Sequence, residues 1–252
     1  MAPEAAHIGH DEMWRSLERV SSHASSELLA KQPHWGDAIL CDGLLYAARA
    51  LKIDAPVAAA QRWFAPKLAQ GPRTTGWFWF WAAEALPALD LHEVTGDPRY
   101  LDYARSIVNF TENTAARTPD GAFVPHPPAL EVWIDVCYFT APAIAMLGRI
   151  SHDDAMQERA LDQMILHAEH LIDPGTGLFW HVAYVDKRSH SECLWARGNS
   201  WFSIAAPQVL KEIDEAESNS RFAAKVYKTR AVLARQLNAI ARLQDQSGLW
   251  HT

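Results

Sequence analysis

Asp135, in the stretch Glu131-Val-Trp-Ile-Asp-Val-Cys-Tyr-Phe139, is well set to hold and deliver a proton. It stands where a Pro-rich loop gives way to a helical pattern, two residues after Trp133. A carboxylic acid kept beside an indole holds its proton to higher pH than one in water, which is what a general acid needs. An Asp at a helix start also serves simply as an N-cap, so position alone leaves both roles open. A second stretch, Leu194-Trp-Ala-Arg-Gly-Asn-Ser-Trp201, sets the guanidinium of Arg197 between the indoles of Trp195 and Trp201. Arginine grips a carboxylate through two parallel donors and stacks on aromatic faces. The following Gly198 permits an unusual turn, and Asn199 or Ser200 would cap the next helix, so one segment can serve packing and binding together. His181, ending Leu178-Phe-Trp-His, could bond a ligand or be an ordinary histidine at the edge of a core. A fourth segment is the aromatic run Trp77-Phe-Trp-Phe-Trp81.

The elements that must position these side chains read as helical almost throughout. Apolar residues at Met13, Trp14, Leu17, Val20, Ala24, Leu28 and Leu29 make a one-sided stripe from His10 to Lys31. Further helices are expected over 37–51, 56–69, 81–94 with a kink at Pro87, 99–112, 135–149, 153–171, 199–213 and 221–244. In Thr95-Gly-Asp-Pro-Arg-Tyr100, Gly96 suits a left-handed C-terminal cap, Asp97 an N-cap and Pro98 a first helical position. Residues 113–133 form a long loop with room for short strands, 178–185 a β-like segment and 186–198 a polar loop. Asp173-Pro-Gly-Thr-Gly-Leu-Phe-Trp-His181 resembles Asp245-Gln-Ser-Gly-Leu-Trp-His251, with the Gly-Leu pairs 71 residues apart and two helices between them. Asp120-Gly-Ala-Phe123 reads as a degenerate third copy. A unit of two helices and an aromatic loop, repeated, builds an α/α toroid whose loops gather around a cleft. Turn residues also recur for purely local reasons. No linker or shift in composition divides the 252 residues, which are read as a single domain.

Composition narrows the function. The net charge of −7, without a basic block, makes a poor phosphate-backbone binder, so no nucleic acid is expected as partner. No stretch approaches the roughly 18 consecutive apolar residues of a spanning helix, and no membrane association is expected. The N-terminus lacks a basic region followed by an apolar run, and the three cysteines show no paired spacing, which together suggest a cytoplasmic protein. The 12 histidines show no metal-ligand spacing, so neither metal nor cofactor is expected. Tryptophan is in surplus: 11 residues against 9 Phe and 6 Tyr. Flat apolar faces carrying one N–H donor suit core packing, a sugar cleft, or both.

At these residues the chain resembles a known family. Trp195-Ala-Arg-Gly-Asn-Ser-Trp201 is similar to the Trp-Ala-Arg-Gly-Asn-Gly-Trp signature of the unsaturated rhamnogalacturonyl hydrolases and the related unsaturated glucuronyl hydrolases, with Ser200 in place of the usual Gly. Trp133-Ile-Asp135 with the downstream Pro142, Gly177-Leu-Phe-Trp-His181, the Thr95-Gly-Asp-Pro joint and Gly248-Leu-Trp-His251 resemble further family elements, so the likeness covers most of the chain. The resemblance implies an all-α, six-hairpin (α/α)6 toroid. It also implies release of 4,5-unsaturated uronic acids from the non-reducing end of lyase-generated oligosaccharides, as in pectin degradation. In that chemistry an acid protonates C4 of the vinyl ether, water adds at C5, and the hemiketal opens and expels the remaining sugar. Asp135 would then be proton donor and partner in water activation, Arg197 would hold the uronate carboxylate, and His181 would bond substrate or assist with charge. Trp133, Trp195 and Trp201 would face the sugar rings.

Two departures accompany the likeness. The family pattern expects a second Asp near Phe80, where this chain has none, and Glu84 is the nearest carboxylate that could take the part of a second acid. The periodicity also supplies about nine helices, where six hairpins need twelve, so the toroid is expected to be incomplete at its C-terminus. Two other readings stay open: a catalytically impaired carbohydrate-binding homologue, and a sugar epimerase or isomerase using His181 with His251. Oligomeric state is open as well.

Overall fold

The computed structural model describes residues 10–28, 35–73, 81–213 and 221–250. Their helices are α1 (His10–Glu27), α2 (Gly36–Leu51), α3 (Ala55–Gln70), α4 (Ala85–Thr95), α5 (Pro98–Thr114), α6 (Ile134–Ser151), α7 (Asp154–Leu171), α8 (Ala196–Glu212) and α9 (Ala223–Leu243). A small antiparallel sheet joins β1 (Glu131–Trp133), β2 (Val182–Tyr184) and β3 (Ser189–His190) in that order. The chain forms two compact units, and the division between them falls within α5, after Ile107. No helix of the described residues is long and apolar enough to cross a membrane.

In the N-terminal unit α2 packs against α1, α3 and α4. Phe64 of α3 is fully buried and meets Trp63, Tyr100 and Tyr103 edge-on at 4.8–5.8 Å. The α4–α5 joint is built as its residues dictate. Gly96 closes α4 at φ 71°, its N–H bonding His92 O, and Asp97 Oδ1 accepts the Arg99 N–H ahead of a helix that begins at Pro98. The expected kink at Pro87 is not present. The helix at Trp81–Ala82 gives way to a turn at Ala83 and Glu84, and α4 restarts at Ala85. Pro87 thus falls in a first turn, where an N–H has no intrahelical partner to lose.

The C-terminal unit is centred on α6, buried continuously from Ile134 to Gly148 and packed between α7 and α8, with α9 laid against both of those. Asp153 caps α7, its carboxylate accepting the Met156 N–H at 2.9 Å. The suspected repeat has a structural counterpart. After α7, Asp173 N–H bonds Leu178 O and Gly177 N–H bonds Asp173 O; after α9, Asp245 N–H bonds Leu249 O and Gly248 N–H bonds Asp245 O, the same pattern in a turn one residue shorter. The two glycines sit at φ 82° and 83°, a left-handed conformation that a side chain resists. After α5, Thr118 and Ala122 close the same kind of turn around Gly121, so the motif follows alternate helices. Residues 186–198 are more ordered than a polar loop: they contain β3 and the first turn of α8, so Arg197, Gly198 and Asn199 are helical.

Candidate active site

Asp135 is the second residue of α6, and the N-cap position belongs to the extended Trp133, which makes no side-chain cap bond. Capping therefore does not account for this carboxylate. It is 7% exposed, and its Oδ2 lies 3.3 Å from His181 Nε2, near enough for electrostatic attraction though not aligned as a hydrogen bond. The pair is set by backbone. Ile134 N–H donates to His181 O at 3.1 Å, and β1 pairs Trp133 with Val182, so the two residues before Asp135 are tied to His181 and its successor.

The walls are aromatic. The His181 ring meets Trp133 edge-on at 5.2 Å and Trp195 edge-on at 4.8 Å. Trp133 is steadied by its Nε1–H, which donates to Glu131 Oε2 at 2.8 Å, the two side chains sharing one face of β1. The Arg197 guanidinium lies 4.1 Å above the Trp195 ring, a cation–π contact, with its side chain exposed. Among the described residues no carboxylate lies within ion-pair distance of it, so its planar donors are available to an incoming anion. Gly198 makes this arrangement possible by close approach: a Cβ there would stand 2.9 Å from Trp195 Cε3 and 3.3 Å from Ile134 Cγ2.

His126 was not evident from the sequence. It comes from the Pro-rich loop before β1, and its ring meets Trp133 at 4.7 Å. Burial pushes its pKa down, against the pull of Glu131, which keeps the imidazole neutral at neutral pH. No spacing rule links it to the site; the course of the loop before β1 brings it against Trp133.

Two candidates are engaged elsewhere. Trp201 is 5% exposed within the helical core, stacked on Tyr138 at 5.3 Å and tilted against Phe139 at 5.4 Å. Its faces are thus occupied by α6. Glu84 belongs to the N-terminal unit, where Lys67 Nζ lies 2.6 Å from Oε1 and the Tyr103 hydroxyl donates to Oε2. Burial and that carboxylate push the Tyr103 pKa well up, so its hydroxyl remains a donor. Phe80, Trp77, Trp79 and His251 lie outside the described residues. A cavity of about 540 Å³ between α8 and α9, lined by Leu178, Leu194, Leu237, Ile240 and Trp250 among others, carries no charged side chain and lacks the means to select an acidic sugar.

A buried acid beside an imidazole, aromatic walls and a guanidinium with no carboxylate partner among the described residues thus gather on a helical scaffold. The model of Glycosyl Hydrolase Family 88 matches residues 10–252, and the chain belongs to that family. It is similar to the unsaturated rhamnogalacturonyl hydrolase of Bacillus subtilis, 30% identical over 171 residues, or 65% of this chain and 48% of that one. A second similar protein is the unsaturated 3S-rhamnoglycuronyl hydrolase of an Alteromonas strain, 25% identical over 121 residues, or 47% of this chain and 28% of that one. The chain therefore spans about half, or less, of the curated relatives it matches. The structure of a possible member of the GH105 family from Klebsiella pneumoniae superposes with a TM-score of 0.82 at 25% identity, over 98% of this chain and 69% of that one. The all-α fold is of the six-hairpin toroid class.

Proposed function

We propose that the protein is a glycoside hydrolase that removes 4,5-unsaturated uronic acid from the non-reducing end of lyase-generated oligosaccharides. The observation that carries this reading is the Asp135–His181 pair at 3.3 Å, walled by Trp133 and Trp195, with Arg197 on the Trp195 face and without a carboxylate partner among the described residues. The relatives' names point to the same class of substrate. Arg197 donates to the uronate carboxylate, which orients the ring and draws the C4=C5 bond toward the acid. Asp135 delivers its proton to C4, and positive charge develops at C5 and the ring oxygen. Water adds at C5 as its proton passes back to the Asp135 carboxylate, with His181 steadying the charge. The C5 hemiketal then opens to a ketone and the remaining sugar leaves from C1. His126 and Trp133 form one wall, Trp195 the other. The free thiols of Cys41, Cys137 and Cys193 suit a cytoplasmic setting.

The test is to incubate the protein with unsaturated disaccharides made by a polysaccharide lyase and follow the ultraviolet absorbance of the C=C bond. Loss of absorbance with release of the second sugar is expected. Unchanged absorbance with measurable binding would instead show a carbohydrate-binding homologue.

A further inference from the structure

Asn199, in the first turn of α8, is 3% exposed and uses both ends of its side chain on backbone, with Gln236 Nε2 a further, longer donor to Oδ1 at 3.5 Å. Its Oδ1 accepts the Phe179 N–H at 2.8 Å, and its Nδ2 donates to Phe179 O and to Trp195 O, both at 3.1 Å. The amide thus acts as a one-residue strand. It pairs at two points with the segment that ends in His181 and at a third with the residue whose ring faces both His181 and Arg197. Gln236 of α9, itself fully buried, holds Asn199 in turn by donating to its main-chain O at 2.6 Å. Phe179 further stacks on Phe202, one helical turn beyond Asn199, at 4.7 Å.

We propose that Asn199 is the positioning residue of the site, setting the separation between the Asp135–His181 pair and the Trp195–Arg197 pair. This deepens the hydrolase reading and rests on it. Phe179 is two residues from His181, and His181 O is bonded by the Ile134 N–H beside Asp135. Trp195 is two residues from Arg197 and carries the guanidinium on its ring. Asn199 therefore connects, through its two anchors, the group that donates the proton with the group that grips the carboxylate. No other residue type offers a donor pair and an acceptor on so short a stem: Ala offers neither, Asp offers no donor, and Gln is one methylene longer.

The role differs from plain support in what its loss does. With Asn199→Ala, Arg197 and Trp195 remain to bind uronate, but the ring is held out of register with Asp135. A shift of about 1 Å is expected to lower kcat/KM by about 100-fold, mostly in kcat. Asn199→Asp keeps the shape and the acceptor for Phe179 N–H but sets an oxygen against two carbonyls, and the same loss is expected should the Ala variant not fold. Gln157→Ala serves as comparison. That buried amide donates to Glu212 O at the other end of α8, at 2.7 Å, and its loss should lower Tm while leaving kcat unchanged. In the Arg197→Ala background, Asn199→Ala should cost far less than in the wild type, because its effect runs through the placement of Arg197. A crystal structure of the folded Asn199 variant should show the 4.8 Å Trp195–His181 contact opened. Wild-type kcat in that variant, full additivity with Arg197→Ala, or an unmoved ring pair would each overturn the positioning role. A wild-type protein that leaves the C=C absorbance intact would overturn the hydrolase reading instead, and the ring separation still decides the positioning.

Discussion

Replacing the Asp135 carboxyl by its amide removes the proton while keeping the shape. Asp135→Asn is therefore expected to lower turnover of an unsaturated disaccharide by at least about 100-fold, with calorimetric affinity for the same sugar nearly unchanged. Substantial turnover in that variant would take the proton-donor role away from Asp135. On the proposed reading, Arg197 holds a charge that the substrate carries before and during reaction, so most of its contribution is made in the ground state and the transition state alike. Losing charge-assisted bonds worth about 1.5–3 kcal/mol should raise KM by about 10- to 100-fold, with a smaller fall in kcat from the lost orientation of the ring. A fall in kcat with unchanged KM would argue instead that Arg197 acts on the reacting bond. At this scale the sequence was informative about residue type, since Asp135, His181, Trp133, Trp195 and Arg197 converge. It was silent on His126, which the loop before β1 brings against Trp133, and misleading on Trp201, whose indole is occupied by Tyr138 and Phe139.

Helix ends and turns show which signals are local. Gly96, Asp97 and Pro98 each occupy the position their chemistry predicts, because a left-handed cap, a side-chain acceptor and a fixed φ need only adjacent backbone. The start of α8 has no such local signal. Gly198 weakens the helix in its first turn, and the turn is stabilised by packing of the Trp195 ring over Gly198 and by the bonds of Asn199 to Phe179, a residue 20 positions away. The turn after α7 offers a quantitative check. Gly177 sits at φ 82°, and an added Cβ would stand 3.0 Å from Arg235 Cγ. Gly177→Ala should cost about 1–2 kcal/mol in backbone conformation alone, read as a Tm lowered by several degrees. Unaltered Tm would mean that the turn relaxes without its left-handed residue.

For the whole molecule, buried ionisable groups set the response to pH. His167 of α7 is fully buried, donates from Nδ1 to Gln163 O at 2.8 Å, and leaves Nε2 without a partner among the described residues. Burial pushes its pKa down to about 4. The unfolded chain, titrating near 6.5, takes up a proton that the folded one refuses. Stability from this group is thus complete above about pH 6.5 and lost as pH falls toward 4, by about 3 kcal/mol in all. Asp90 in the N-terminal unit works in the opposite direction. Burial and the neighbouring Asp42 push its pKa up to about 7, against the pull of Arg49, so the stability it contributes declines as pH rises from about 4 to 7. His167→Leu should therefore flatten the acid side of the profile relative to wild type, measured by urea unfolding from about pH 4 to 7. Parallel profiles would show that His167 takes up its proton while folded.

What the sequence determined by itself was the helical class, the repeated two-helix unit with its Asp-to-Gly turns, and the residue types able to protonate a sugar and hold its carboxylate. These follow from periodicity, caps and side-chain chemistry, all of which act over a few residues. The tertiary structure decided which of those residues meet. Asp135 and His181 come together through the Ile134–His181 bond, Arg197 lies on Trp195 because Gly198 admits the ring, and Trp201 turns into the core. Such choices depend on strand register and on close packing between distant segments, where a shift of one residue exchanges a buried face for an exposed one.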